Sequence, residues 1–192
     1  MEWTIPGTVL TGQREQAQWV QEQFQSLFLA GGVVRSQVAN LTGLEPHAVQ
    51  NWVKRGFLSP PKGKRYSLSQ LCRILIINML KSALPMERIC LLLSYINGAL
   101  DDESDDCIDD AQLYFAFVRV AAKYQGLMED KEALRACIRE SLEDYEEPVP
   151  GAKERVEQVL MVMLCAWASS LLQKQAENHL SVILSKGEQE NG

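Results

Sequence analysis

The chain has 192 residues, 46% hydrophobic and 23% charged, which is the make-up of an ordinary soluble globular protein with room for one large domain or two small ones. Aromatic residues reach only 7% and strand-like alternation is nearly absent, so a β-rich fold gives way to a mostly α one. The net charge of −6 hides a split: residues 1–98 hold ten Lys and Arg against five Asp and Glu, and residues 99–192 hold nine against twenty.

The first helix is expected over Gln13–Ala30, with Trp19, Val20, Phe24, Leu27 and Phe28 near helical spacing and Gly31-Gly32 ending it. Residues 1–32 then form an N-terminal element ahead of a domain over 33–98. Ahead of that helix, Met1–Thr11 has neither a basic start nor an apolar run, so no secretory leader is expected. Next, a short helix from Ser36 to Leu41 meets a tight Thr42-Gly43 turn and a second helix over 46–55. Pro46 suits the first turn of that helix, where its missing N–H costs nothing, and Gly56 closes it. This is helix-turn-helix spacing.

Pro60-Pro61 and Gly63 forbid a helix over Leu58–Tyr66, and two very short strands around a basic turn are expected there. Ser67 opens a third helix, with Gln70 completing a capping box and Leu68, Leu71, Cys72, Leu75, Ile76, Met79 and Leu80 keeping the helical period. Pro85 begins a fourth, whose Ile89, Leu92, Leu93 and Ile96 form one face before Asn97-Gly98 ends it.

Seven of the ten residues Asp101–Asp110 are carboxylates, and 99–109 is expected as an acidic linker. A calcium loop needs alternating acids, a central Gly and a terminal Glu, and that order is missing. Asp109 and Asp110 suit a helix N-terminus instead. Helices are then expected over Asp110–Gly126, Glu129–Glu146 and Ala152–Lys186, giving an all-helical domain over 110–192. The most apolar stretch, Val159–Leu172, is about 14 residues, short of the roughly 20 that cross a bilayer, and is read as a core helix with no membrane partner. Val156, Leu160, Met163, Leu164, Trp167 and Leu171 on the last helix are candidates for core or dimer contact.

The five cysteines are odd in number and form no CxxC, so free thiols in a reducing cytoplasm are expected. Cys72, Cys90, Cys137 and Cys165 are placed in apolar surroundings and Cys107 at the surface. No HExxH, Walker loop, GxGxxG or GxSxG occurs, and the two histidines, His47 and His179, are far apart in sequence. No enzyme activity, cofactor or metal is therefore expected.

Residues 47–67, HAVQNWVKRGFLSPPKGKRYS, carry five Lys or Arg and no carboxylate within an acidic chain. In the helix 46–55, Val49, Trp52 and Val53 share one face, while His47, Gln50, Asn51 and Lys54 share the other. That second face holds only groups able to hydrogen-bond or bear positive charge. Gln and Asn can bond adenine bidentately, and Lys suits guanine or phosphate, so these four are the candidate base-facing residues. Arg35, Arg55, Lys62, Lys64 and Arg65 are candidates for the phosphate backbone, joined by Tyr66.

Residues 33–96 resemble the N-terminal winged helix of the MerR family of bacterial transcription regulators. The likeness runs without gaps across VANLTGLEPHAVQNWVKRGFL and continues through KRYSLSQLCRILIINMLKSALPMERICLLL. Where the family's recognition helix usually carries an Arg and paired Tyr, this chain has Gln50, Asn51 and Trp52. The whole chain is also similar, more loosely, to uncharacterised bacterial proteins with a MerR-like domain and a helical C-terminal half. The resemblance implies a DNA-binding regulator, with helix 46–55 in the major groove of double-stranded DNA and the basic wing 58–66 on phosphates. Because one module this small gives little specificity, a homodimer on paired half-sites is expected. The alternative is a winged helix used only for protein–protein contact, which an exposed Trp52 would favour and a Trp52 buried beside Val49 would not.

Overall fold

A computed structural model of the protein describes residues 2–29, 31–98, 106–124 and 130–190. It opens with a hairpin that periodicity does not announce. Strand β1 (Glu2–Thr4) pairs antiparallel with β2 (Thr11–Gln13), Trp3 lying opposite Gly12. The hairpin loop is strapped to the body: the Tyr114 hydroxyl donates to the Pro6 carbonyl at 2.8 Å, and Asn78 Nδ2 donates to the Gly7 and Thr42 carbonyls at 2.9 and 3.0 Å.

The expected helix over Gln13–Ala30 is corrected at its start. Gln13 belongs to β2, Arg14–Gln16 form a 3-10 turn, and helix α1 runs Ala17–Leu27. Val20 and Phe24 are buried, whereas Trp19 and Leu27 are 48% and 45% exposed. The reason is that α1 packs mainly on one neighbouring helix (α6, below), which covers only a narrow stripe of it.

Strand β3 (Val33–Val34) leads into α2 (Arg35–Thr42), and three residues separate this helix from α3 (Pro46–Lys54). The turn depends on Gly43, whose φ is +68° and whose N–H donates to the Ala39 carbonyl at 2.8 Å. A Cβ there would also stand 2.7 Å from Val9 of the hairpin loop.

The wing is built differently from the expected pair of strands within Leu58–Tyr66. Strand β4 (Arg65–Tyr66) pairs antiparallel with β3, Val33 opposite Tyr66. Pro60 and Pro61 have no N–H to give to a ladder, so the near side of the loop stays irregular. Only Lys62 and Arg65 bridge across it, around Gly63 and Lys64, whose φ values of +56° and +65° mark a type I′ turn.

The capping box of α4 (Leu68–Leu80) forms as its spacing predicts: Gln70 N–H donates to the Ser67 hydroxyl at 3.1 Å and Ser67 N–H to Gln70 Oε1 at 3.0 Å. Residues 71–77 are all buried, so α4 has almost no solvent face and serves as the axle of the fold. Helix α5 (Met86–Asn97) follows, and Asp109 caps α6 (Asp110–Lys123) by accepting from the Ala111 and Gln112 N–H groups. Helix α7 is shorter than the expected 129–146, spanning Lys131–Glu140. The chain leaves its axis because the Ser141 carbonyl accepts from Arg119 Nη2 at 2.7 Å and the Tyr145 hydroxyl donates to the Cys107 carbonyl. Helix α8 (Ala152–Glu190) is 39 residues long.

The molecule is mostly helical, and one apolar core runs through both halves. Helix α4 packs against α2, α5, α6 and α8, so the expected division between 33–98 and 110–192 is not a division of packing. Across it, Arg73 Nη1 meets Asp110 Oδ2 at 3.1 Å, both side chains about nine-tenths buried. Burial pushes the Asp110 carboxyl above its usual range, against the pull of the guanidinium.

Most of the expected linker, 99–105, lies outside the described residues. At its end Cys107, expected at the surface, is 2% exposed, because its N–H donates to the Ile96 carbonyl at 2.7 Å and Ile108 beside it enters the core. Conversely, Cys165 is exposed and Cys90 half-buried, although both were expected inside.

Val156, Leu160, Met163, Leu164 and Trp167 of α8 are buried and Leu171 is half-buried, but from Leu172 onward the described side chains are all exposed. By length and composition Ala152–Ser185 could cross a membrane, with a mean hydropathy of 1.4 over an 18-residue window of which 44% is buried in the fold.

Candidate nucleic-acid interface

Helix α3 is positioned by its apolar side. Val49 and Trp52 are 1% and 7% exposed, with Ala48 and Val53 packed against the same core. Burying the indole leaves His47, Gln50, Asn51 and Lys54 outward, all exposed. No described residue makes a hydrogen bond or ion pair with any of these four side chains. A short helix with one polar face, held rigidly by the opposite face and free of internal partners, can present a preset row of donors and acceptors to a ligand surface.

Arg35, in the first turn of α2, is likewise exposed and unpaired, as are Lys62 and Lys64 on the wing. The type I′ turn fixes the two wing lysines at a loop tip. The other three candidates are placed differently. Tyr66 is corrected: it is 3% exposed, because its register opposite Val33 turns the ring into the core, and burial pushes its phenol up. It cannot reach a phosphate without leaving that core. Arg65 Nη1 donates to the Gly32 carbonyl at 2.7 Å, tying the wing to the chain before α2 while its other donors remain open. Arg55 lies 4.6 Å over the Phe57 ring and contacts Glu87 at 3.2 Å, an exposed pair that solvent weakens.

Arg73 is the positioning residue that periodicity missed. Besides gripping Asp110, it donates from Nε to the Phe57 carbonyl at 3.2 Å, fixing the chain as it leaves α3. Gln70 does the same for the wing base, donating from Nε2 to the Ser59 carbonyl at 3.0 Å. The signal for Arg73 was a single charge inside the run LCRILII, which no solvated face explains. Among the described residues, no three His, Cys, Asp or Glu side chains are grouped to hold a metal ion.

Residues 29–117 match a family model described as a domain of unknown function (DUF1836). The matched segment crosses the acidic run and takes in most of α6, so it includes both Arg73 and Asp110. The chain is also similar to the uncharacterized protein YkrK of Bacillus subtilis (strain 168), 35% identical over 102 residues, which is 50% of this chain and 44% of that protein. The match thus spans less than half the length of that relative. No solved structure matches.

Proposed function

We propose that the protein is a cytoplasmic DNA-binding transcriptional regulator of MerR-like type, reading the major groove with α3. The observation that carries this reading is the burial of Trp52 beside Val49, which leaves His47, Gln50, Asn51 and Lys54 outward and unpartnered. Arg35, Lys62 and Lys64 supply unpaired charge for flanking phosphates, and Arg65 adds its open donors. Phosphate contacts of this kind position the protein, whereas the amides of Gln50 and Asn51 can tell one base from another.

The test is selection of duplexes by the purified chain from a randomised pool, followed by titration at two salt concentrations against unrelated competitor DNA. Enrichment of one motif supports the reading, and absence of any enrichment overturns it. Lys62→Gln with Lys64→Gln should weaken binding to all duplexes alike and flatten the salt slope by about two units. Gln50→Ala or Asn51→Ala should instead erode discrimination at single positions by about 1–3 kcal/mol. If the two sets of variants behave alike, the roles are assigned wrongly.

The regulator works as a homodimer joined through the distal part of α8. Leu172, Leu180, Ile183 and Leu184 are more than half exposed there, on the stretch from Leu172 where every described side chain is exposed. Leu180→Lys with Ile183→Lys should convert a dimer to a monomer in sedimentation while changing unfolding stability by less than about 0.5 kcal/mol at a concentration low enough that both proteins are monomeric, as exposed sites do.

A further inference from the structure

Helix α3 is tied down differently at its two ends. Glu45, at its N-cap, gives it no side-chain cap. At the exit, Phe57 N–H donates back to the Trp52 carbonyl at 2.9 Å, and the Phe57 carbonyl accepts from Arg73 Nε at 3.2 Å. Arg73 Nη1 in turn donates to Asp110 Oδ2 at 3.1 Å, while Asp110 Oδ1 accepts from Asn97 Nδ2 at 3.5 Å. A chain of hydrogen bonds thus runs from the buried side of α3 through α4 to the first residue of α6, and Asn97 brings in the end of α5. Arg73 and Asp110 are each 8% exposed, so water does not compete for these bonds. The surface pair Arg55–Glu87 gives no comparable hold, its side chains being 59% and 69% exposed.

A guanidinium is planar and rigid, so fixing one of its donors fixes where the others aim. With Asp110 on Nη1, Nε is directed at Phe57; without that anion, Arg73 is free to turn about its side-chain bonds. We propose that Asp110 is a positioning residue for DNA reading, acting through Arg73 on the exit of α3 to set the pose in which Gln50 and Asn51 meet the bases. The inference rests on the major-groove reading of α3. It adds that the helical half, far in sequence from the contact residues, sets how selectively they read. Arg35, Lys62 and Lys64 make none of these bonds, so the phosphate contacts do not depend on them.

The test uses Arg73→Met with Asp110→Leu, which keeps the site filled and apolar but leaves the Phe57 carbonyl without its donor. Duplexes selected by the wild-type chain, and single-base changes of them, are titrated with both proteins at two salt concentrations. The variant should lose about tenfold in discrimination, the worth of one good base contact, with its salt slope unchanged. A role in stability alone would move the unfolding midpoint and leave discrimination intact. Amide exchange of the free proteins is the second readout: residues 50–54 should exchange about tenfold faster in the variant, relative to residues 160–164 of α8, as local opening does. Wild-type discrimination in the variant, or an unchanged exchange ratio, would each overturn the proposal. If the wild-type chain selects no duplex, the DNA reading falls, and the exchange ratio alone decides whether Asp110 holds α3. Should the double variant fail to fold, Asp110→Asn takes its place and is judged by the same two readouts.

Discussion

Asp110→Ala should lower the unfolding free energy by about 3–5 kcal/mol, the cost of stranding a buried charge when its partner is removed. The charge stranded is Arg73, which is 8% exposed and contacts the lost carboxylate at 3.1 Å. Its remaining bond, to the Phe57 carbonyl, is to a neutral acceptor and cannot compensate for a missing anion. Urea unfolding followed by circular dichroism would measure this as a fall in midpoint at constant slope. Replacing the pair together, Arg73→Met with Asp110→Leu, should recover most of the loss, because an apolar pair of similar volume avoids the desolvation cost that the ions carry. If the single variant costs no more than an average surface change, the pair is not sealed from water as its geometry requires.

Gly7→Ala is the second large effect, expected at about 3–5 kcal/mol from a left-handed Cβ plus buried hydrogen bonds that must break. Gly7 has φ of +75°, and a Cβ would fall 2.3 Å from the Leu75 carbonyl oxygen, inside the backbone of the most buried helix. The helix cannot give way, so the hairpin must lift. Lifting it takes the Pro6 and Gly7 carbonyls from Tyr114 and Asn78 and leaves the buried Tyr114 hydroxyl without its acceptor. Gly12→Ala is the control, since its Cβ would meet only Ile5 at 3.8 Å. A calorimetric midpoint that falls sharply for Gly7→Ala and barely for Gly12→Ala is the expected result. Equal shifts would mean that the hairpin contributes little to the fold.

These two sites also mark where sequence reading stopped. The α3 face, the Gly43 turn and the Ser67–Gln70 cap were legible because each is a local pattern, complete within four to eight neighbouring residues. The β3–β4 pairing was not, since strands of two residues carry no period and join positions about thirty apart. Tyr66 was misplaced for that reason: its side is fixed by Val33 across the ladder, not by the basic residues beside it in sequence. Cys107 failed in the same way, its acidic neighbours suggesting water while its N–H is held by Ile96. Arg73 was conspicuous as a charge in an apolar run, but its acceptor lies 37 positions downstream, and no spacing rule links the two.

Helix α8 begins in the core and its described side chains from Leu172 onward lie in water, which has a consequence for the thermodynamics of that exposed part. Starting a helix in isolation is improbable, with a nucleation factor on the order of 10⁻³, while each added residue is close to neutral. Here the turns around Val156–Trp167 are held by tertiary packing and act as a permanent nucleus. The distal turns therefore only propagate, at a free energy near zero per residue, and can fray and re-form from the C-terminal end on a submicrosecond timescale. A surface ordered at so little cost can associate and release quickly, so amide exchange beyond Leu171 should be fast in dilute solution, and under the proposed dimerisation it should slow as concentration rises.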